Sequence, residues 1–282
     1  MLFIDTLTRL YTELKPIVEQ AFNLAYQNQS NQGDLLLIFA HGHRDPILPN
    51  GVFTGYGHMG HSMRSQMAFI SEFRKLMYPN KQAYYSALQE SPRTTPTEEL
   101  SIQLELYVYQ KLWELGMFQK RIYQLSRLIS GEPYEWDGLP SRTYNNVIES
   151  MERIENPCPL LHQWIGESYD NKVRNAIAHS DFYTILEGED KGIMFLDDSE
   201  PYYFMPLNEW NEKATKSLLL ENAFSENLAR YSGIYRNIAD GNNGCISVSV
   251  PFTHNTNVRL AFDEPNNSWI SYDNLIASGR FQ

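Results

Sequence analysis

The chain is poor in cysteine and has no cysteine pattern. Cys158 and Cys245 are its only two, and neither lies in a CxxC spacing, which excludes a disulfide framework and a thiolate-built structural zinc site. Long apolar runs are missing as well. The longest is Leu35-Leu36-Leu37-Ile38-Phe39-Ala40, well short of the roughly 20 residues that a membrane-spanning helix needs. The first residues, Met1-Leu2-Phe3-Ile4-Asp5, hold no basic stretch ahead of an apolar one. The expected location is therefore cytoplasmic, with no membrane partner. Internal repeats and low-complexity tracts are also absent from the sequence.

Basic charge is scarce too. Against 34 Asp and Glu stand 23 Lys and Arg, for a formal net charge of −11, and a charge of that sign excludes a protein that coats nucleic acid by bulk attraction. The deficit is uneven. Residues 181–282 hold 15 of the acids and 7 of the bases, leaving 19 and 16 for residues 1–180. What the chain does have is apolar and aromatic bulk, at 42% hydrophobic residues with 18 Tyr, 14 Phe and 5 Trp, ample for a folded core.

Apolar spacing predicts a helix over 4–28, carried by Leu7, Leu10, Tyr11, Leu14, Val18, Phe22 and Ala25. Residues 32–60, rich in Pro and Gly after the 35–40 run, read as a loop or hairpin excursion in which 35–40 is a strand or a helical turn. Helix resumes at 61–78. Thr95-Pro96-Thr97-Glu98 is a capping-box start, and the apolar period after it predicts one long helix up to Gly131. Further helices are expected at 142–155 and 159–179, the latter with Leu161, Ile165, Tyr169, Val173 and Ile177 in steps of four. Strand patterns follow at 182–186 and 193–196, a helix at 207–238, and a terminal β region at 245–250, 258–262 and 269–272. The expected fold class is mainly α: a helical domain over 1–182 and an α+β portion over 183–282.

The chemistry gathers at Arg174-Asn175-Ala176-Ile177-Ala178-His179-Ser180-Asp181. Histidine can exchange a proton near neutral pH, and arginine stays charged and grips phosphate oxygens with two parallel bonds. Asn175 and His179, four apart, share a helix face, whereas Arg174 and His179 point about 140° apart. A site using both needs the long reach of Arg174 or a second chain. The simpler reading is structural: polar and cationic side chains at a helix C-terminus cap its last carbonyls.

An Arg-polar-x-x-x-His motif ending a helix, here in Val173-Arg174-Asn175-Ala176-Ile177-Ala178-His179-Ser180, resembles the HEPN superfamily, whose ribonuclease members carry Arg-x4–6-His. The resemblance covers about a third of the chain and is sharpest over 173–183. It implies an antiparallel helical bundle, a homodimer whose two motifs face one cleft, and metal-independent endoribonuclease activity on RNA, with no cofactor and with 2′,3′-cyclic phosphate ends. His179 would be the general acid or base, Arg174 would stabilise the transition-state charge, and Asn175 would orient the histidine or bind phosphate. Asp181 and Ser180 would support them. A toxin, phage-defence or stress context would fit, with an antitoxin or regulatory partner. The alternative is a non-catalytic HEPN-like module for dimerisation or RNA binding that regulates a partner.

Four of the seven histidines fall within 41–61. His41, His43, Asp45, His58 and His61 together offer the donors of a metal site and a second alternative, a metalloenzyme. His-x-His-x-Asp is similar to metallo-β-lactamase-type hydrolases, but Pro46 stands where their next histidine belongs. The simpler reading is a polar surface loop. Tyr107, Tyr109, Trp113, Tyr123, Trp164 and Tyr169 are expected in the core or in a dimer interface rather than stacked on bases. The acidic stretch 186–200 is expected to be a solvated hairpin.

Overall fold

The computed structural model describes residues 4–44, 52–53, 68–69, 72, 97–114, 116–137, 143–188, 190–197, 200–250 and 256–277. The protein is mainly helical with small antiparallel sheets. In chain order the elements are α1 (Ile4–Asn28), α2 (Asp34–Ala40), β1 (His43–Arg44), β2 (Val52–Phe53), α3 (Thr97–Glu114), α4 (Gly116–Ile129), α5 (Thr143–Ile154), α6 (Pro159–Ser168), α7 (Asn171–His179), β3 (Phe182–Ile185), β4 (Gly192–Asp197), β5 (Glu200–Pro206), α8 (Leu207–Asp240), β6 (Ile246–Val250), β7 (Thr256–Asp263), β8 (Ser268–Ser271) and α9 (Tyr272–Ala277). Among the described residues no helix is long and apolar enough to cross a membrane.

The expected long helix is described as α3 and α4 on either side of residue 115, which lies outside the described residues. The 159–179 helix divides into α6 and α7 although its five apolar residues, from Leu161 to Ile177, are all buried. Asp170 makes the break. Its backbone is extended, and its carboxylate accepts from the N–H groups of Lys172 and Val173, an N-cap that starts a new helix. Within the 32–60 excursion, the 35–40 run takes the helical of its two expected forms, as the buried helix α2, and the short β1–β2 pair follows it. Strand β5 and helix α9 were not expected. The expected 61–78 helix and the Thr95-Pro96 cap lie almost wholly outside the described residues, where only 68, 69 and 72 are helical.

The chain packs as two compact units. The first collects 1–15, 63–118 and 163–222; the second collects 16–62, 119–162 and 223–282. In the first, α7 packs against α3 and β4. Its core is aromatic: Trp113 lies 4.9 Å from Tyr169 and Tyr109 lies 5.4 Å from Trp210, centroid to centroid. The indole N–H groups have partners, Trp113 donating to Ser217 Oγ and Trp210 to Glu105 Oε2, as buried indoles require. Strands β3-β4-β5 form an antiparallel sheet in that order. In it Gly192 faces Pro206, and a Cβ on Gly192 would stand 2.5 Å from the Met205 carbonyl and the Phe204 ring.

In the second unit α2 lies against β8 of the β6-β7-β8 sheet. Val248, Leu260 and Trp269 are buried there, as are Leu35, Leu36 and Leu37. Gly33 leads into α2 at φ 99° with Val248 beside it, a backbone shape that favours glycine. Of the six aromatics expected inside, Tyr109, Trp113, Tyr123, Trp164 and Tyr169 are buried and Tyr107 is exposed.

Candidate functional site

The Arg174/His179 motif occupies α7, a helix of nine residues fixed at both ends. Asp170 caps its start. Its end is closed by Ser180 in the left-handed region (φ 61°), with Ser180 N–H donating to Ile177 O (3.2 Å) and Asp181 N–H to Ala176 O (2.8 Å), the pattern that satisfies the last carbonyls of a helix. Asp181 is also tied to the sheet, because its carbonyl accepts from Leu196 N–H at 2.9 Å. Val173, Ala176 and Ile177 are buried, which turns the remaining face of α7 outward.

On that frame His179 is exposed in the last turn, Ser180 is exposed beside it, and Asn175 and Asp181 are half-buried. His179, Ser180 and Asp181 follow one another at the C-terminal end of α7, and Asn175 lies one turn before His179. Arg174 does not join them. Its Nη2 donates to Asn171 Oδ1 at 2.8 Å, and the same oxygen accepts from the Tyr169 hydroxyl at 3.2 Å. The guanidinium is thus drawn to the start of the helix, in keeping with the N-terminal tilt of helical side chains. Its Nε is buried with no hydrogen-bond partner among the described residues, an unspent donor on a charged group. Below it, Tyr109 donates to Ser168 O (3.1 Å) and accepts from Asp170 N–H (3.0 Å), and burial pushes its hydroxyl well above the usual tyrosine range. That phenol is a fixed, neutral support.

Asn171 and Tyr169, which steer Arg174, and Asp170, which starts the helix, are absent from the sequence-based assignment. The signal for Asp170 is the Ser168-Tyr169-Asp170-Asn171 run, whose polar residues suit a cap better than a helix interior.

The His41–His61 cluster lies elsewhere. His41 follows α2 in the left-handed region (φ 49°), and its carbonyl is 3.1 Å from His43 Nδ1 at the start of β1. Asp45, His58 and His61 lie outside the described residues, and among those described no three metal-binding side chains converge. What surrounds His41 instead is a set of cations. The Gly42 carbonyl accepts from Lys120 Nζ (3.1 Å) and from the Tyr134 hydroxyl (2.8 Å). Burial, then the charges of Arg121, Lys120 and His43, hold the His41 ring well below the usual histidine range. Burial alone lowers Lys120 to about 8.

No family model, curated protein or solved structure matches the chain.

Proposed function

We propose that the chain is a metal-independent endoribonuclease of HEPN type, acting as a homodimer in which two copies of α7 complete one cleft. The observation that carries this reading is the division of labour along α7. A solvent-facing His179 stands at one end and an Arg174 with an unspent buried N–H at the other, on a helix locked at both termini. Within one chain the two groups face apart, so a second chain supplies the complement. His179 takes the proton from the ribose 2′-hydroxyl or gives one to the leaving 5′-oxygen. Arg174 meets the added charge on the phosphorus oxygens. Asn175, on the His179 face, orients the imidazole or a phosphate oxygen, with Ser180 and Asp181 beside it. The 2′-oxygen attacks phosphorus as the bond to the 5′-oxygen breaks, leaving a 2′,3′-cyclic phosphate and a 5′-hydroxyl.

One observation favours the second reading, a non-catalytic HEPN-like dimerisation or RNA-binding module. Arg174 is already bonded to Asn171 of its own helix, as a purely structural arginine would be. Cleavage of total RNA in EDTA, with analysis of the product ends, separates the two. The ribonuclease reading expects EDTA-resistant cleavage with cyclic phosphate ends, lost by about 10²-fold or more in His179→Ala. RNA binding without cleavage favours the module.

A further inference from the structure

The strand that follows the α7 motif is a sheet edge. Among the described residues β3 pairs with β4 alone, so β3 and β5 are the two edges of their sheet. Which groups of β3 point outward follows from the ladder. Leu196 N–H donates to Asp181 O at 2.9 Å, and opposed residues in an antiparallel ladder alternate between bonded and non-bonded pairs. Tyr183 and Ile185 therefore bond Met194 and Gly192, and the N–H and C=O groups of Phe182 and Thr184 face away from the sheet.

The two edges differ in kind. Carried across β4, the same alternation puts Pro201 and Pro206 of β5 at positions whose N–H would face outward, and the register shifts between Phe195 and Leu196. Prolines and bulges are what keep an edge from pairing with another chain. β3, Phe182-Tyr183-Thr184-Ile185, has no proline and no charge. In a chain of net charge −11, a neutral edge is the one that can meet its own copy, because like charges directly opposite destabilise a strand pair. The side chains agree. Ile193, Phe195 and Met205 are buried on one face of the sheet, and α7 packs against β4. On the other face Tyr183, Met194 and Phe204 stand in one row across the strands, and Tyr183, at the edge, is 47% exposed.

We propose that β3 is a dimer interface, pairing antiparallel with β3 of a second copy about a twofold axis at Tyr183. The inference rests on the ribonuclease reading for its homodimer and supplies the surface on which that dimer forms. In this register Phe182 of each chain bonds the partner's Thr184, which uses the outward groups of both, and the two Tyr183 rings meet as a cross-strand pair. Asp181 falls opposite the partner's Ile185, so no acids confront each other. The two sheets become one continuous sheet. An axis normal to it is isologous and keeps both copies of α7 on the same face, as a shared cleft requires.

Sedimentation equilibrium of the full-length protein without RNA, joined to disulfide crosslinking, tests this. The wild type is expected to be a dimer. Thr184→Pro removes an outward N–H and no bond within the sheet, and is expected to be a monomer with unchanged circular dichroism. Tyr183→Cys places two thiols at the axis, where the Cα atoms of a non-bonded pair stand about 4.5 Å apart, within disulfide reach. Mild oxidation is expected to crosslink that variant but neither the wild type nor Ile185→Cys, whose Cα atoms would lie on the order of 14 Å apart. If Thr184→Pro loses its helical signal, the crosslink decides. A monomeric wild type, an assembly that grows beyond two chains, a folded Thr184→Pro that stays dimeric, or no crosslink through Tyr183→Cys overturns the interface. RNA cleavage is a separate readout. A β3 dimer that cleaves no RNA ends the ribonuclease reading alone, and cleavage by a protein that fails these tests ends the β3 interface alone.

Discussion

At the scale of single residues, identity and direction are separate questions. Arg174, Asn175 and His179 are legible in the sequence as a set, because their types and spacing state a chemistry. Where Arg174 points is not legible, since that is decided by the Asn171 oxygen and the Tyr169 hydroxyl, two partners outside the motif. The His41 environment was still less visible. Lys120, Tyr134 and Gly42 are brought together by packing, and no spacing rule links them. Its physical consequence can be measured. Because the folded protein holds His41 well below the usual histidine value, the unfolded chain binds its proton first as pH falls. The stability that neutral His41 allows is full above the unfolded pKa of about 6.5 and declines below it, toward a slope of about 1.4 kcal/mol per pH unit. Subtracting the denaturation curves of His41→Gln from those of the wild type between pH 7.5 and 5 isolates this dependence. A difference that does not change with pH contradicts the assignment.

At the scale of elements, hydrophobic period located helices well and placed their ends badly. α1, α5 and α8 fall close to their expected ranges because long apolar stripes report a buried face directly. The same stripe hid the α6–α7 break. Leu161 to Ile177 keep a spacing of four straight through Tyr169, and what interrupts the backbone is a polar side chain, Asp170, competing for the N–H groups of the next turn. α2 is ambiguous in the sequence because a six-residue apolar run, buried at all but Phe39, has no period to read. β5 has a strand-like cluster in Tyr202-Tyr203-Phe204. The Asp170 cap yields a test at this scale. Asp170→Ala leaves two N–H groups unsatisfied and is expected to lower stability by about 1 kcal/mol, read as a lower denaturant midpoint at unchanged slope. Because α7 carries both proposed catalytic groups, RNA cleavage should fall with it.

At the scale of the whole molecule, the net charge of −11 is compatible with an RNA substrate only if RNA is admitted at local sites. α7 is the local site at which RNA would be admitted under the proposed function. The central claim is that Arg174 of one chain and His179 of another act on the same phosphodiester. RNA cleavage in EDTA by wild type, Arg174→Ala, His179→Ala and a refolded equimolar mixture of the two variants tests it most directly. Each variant alone should lose about 10²-fold or more, and the mixture should recover cleavage that neither shows, because mixed dimers restore one Arg174 opposite one His179. Undiminished cleavage by both variants, or a mixture as inactive as its components, contradicts the account.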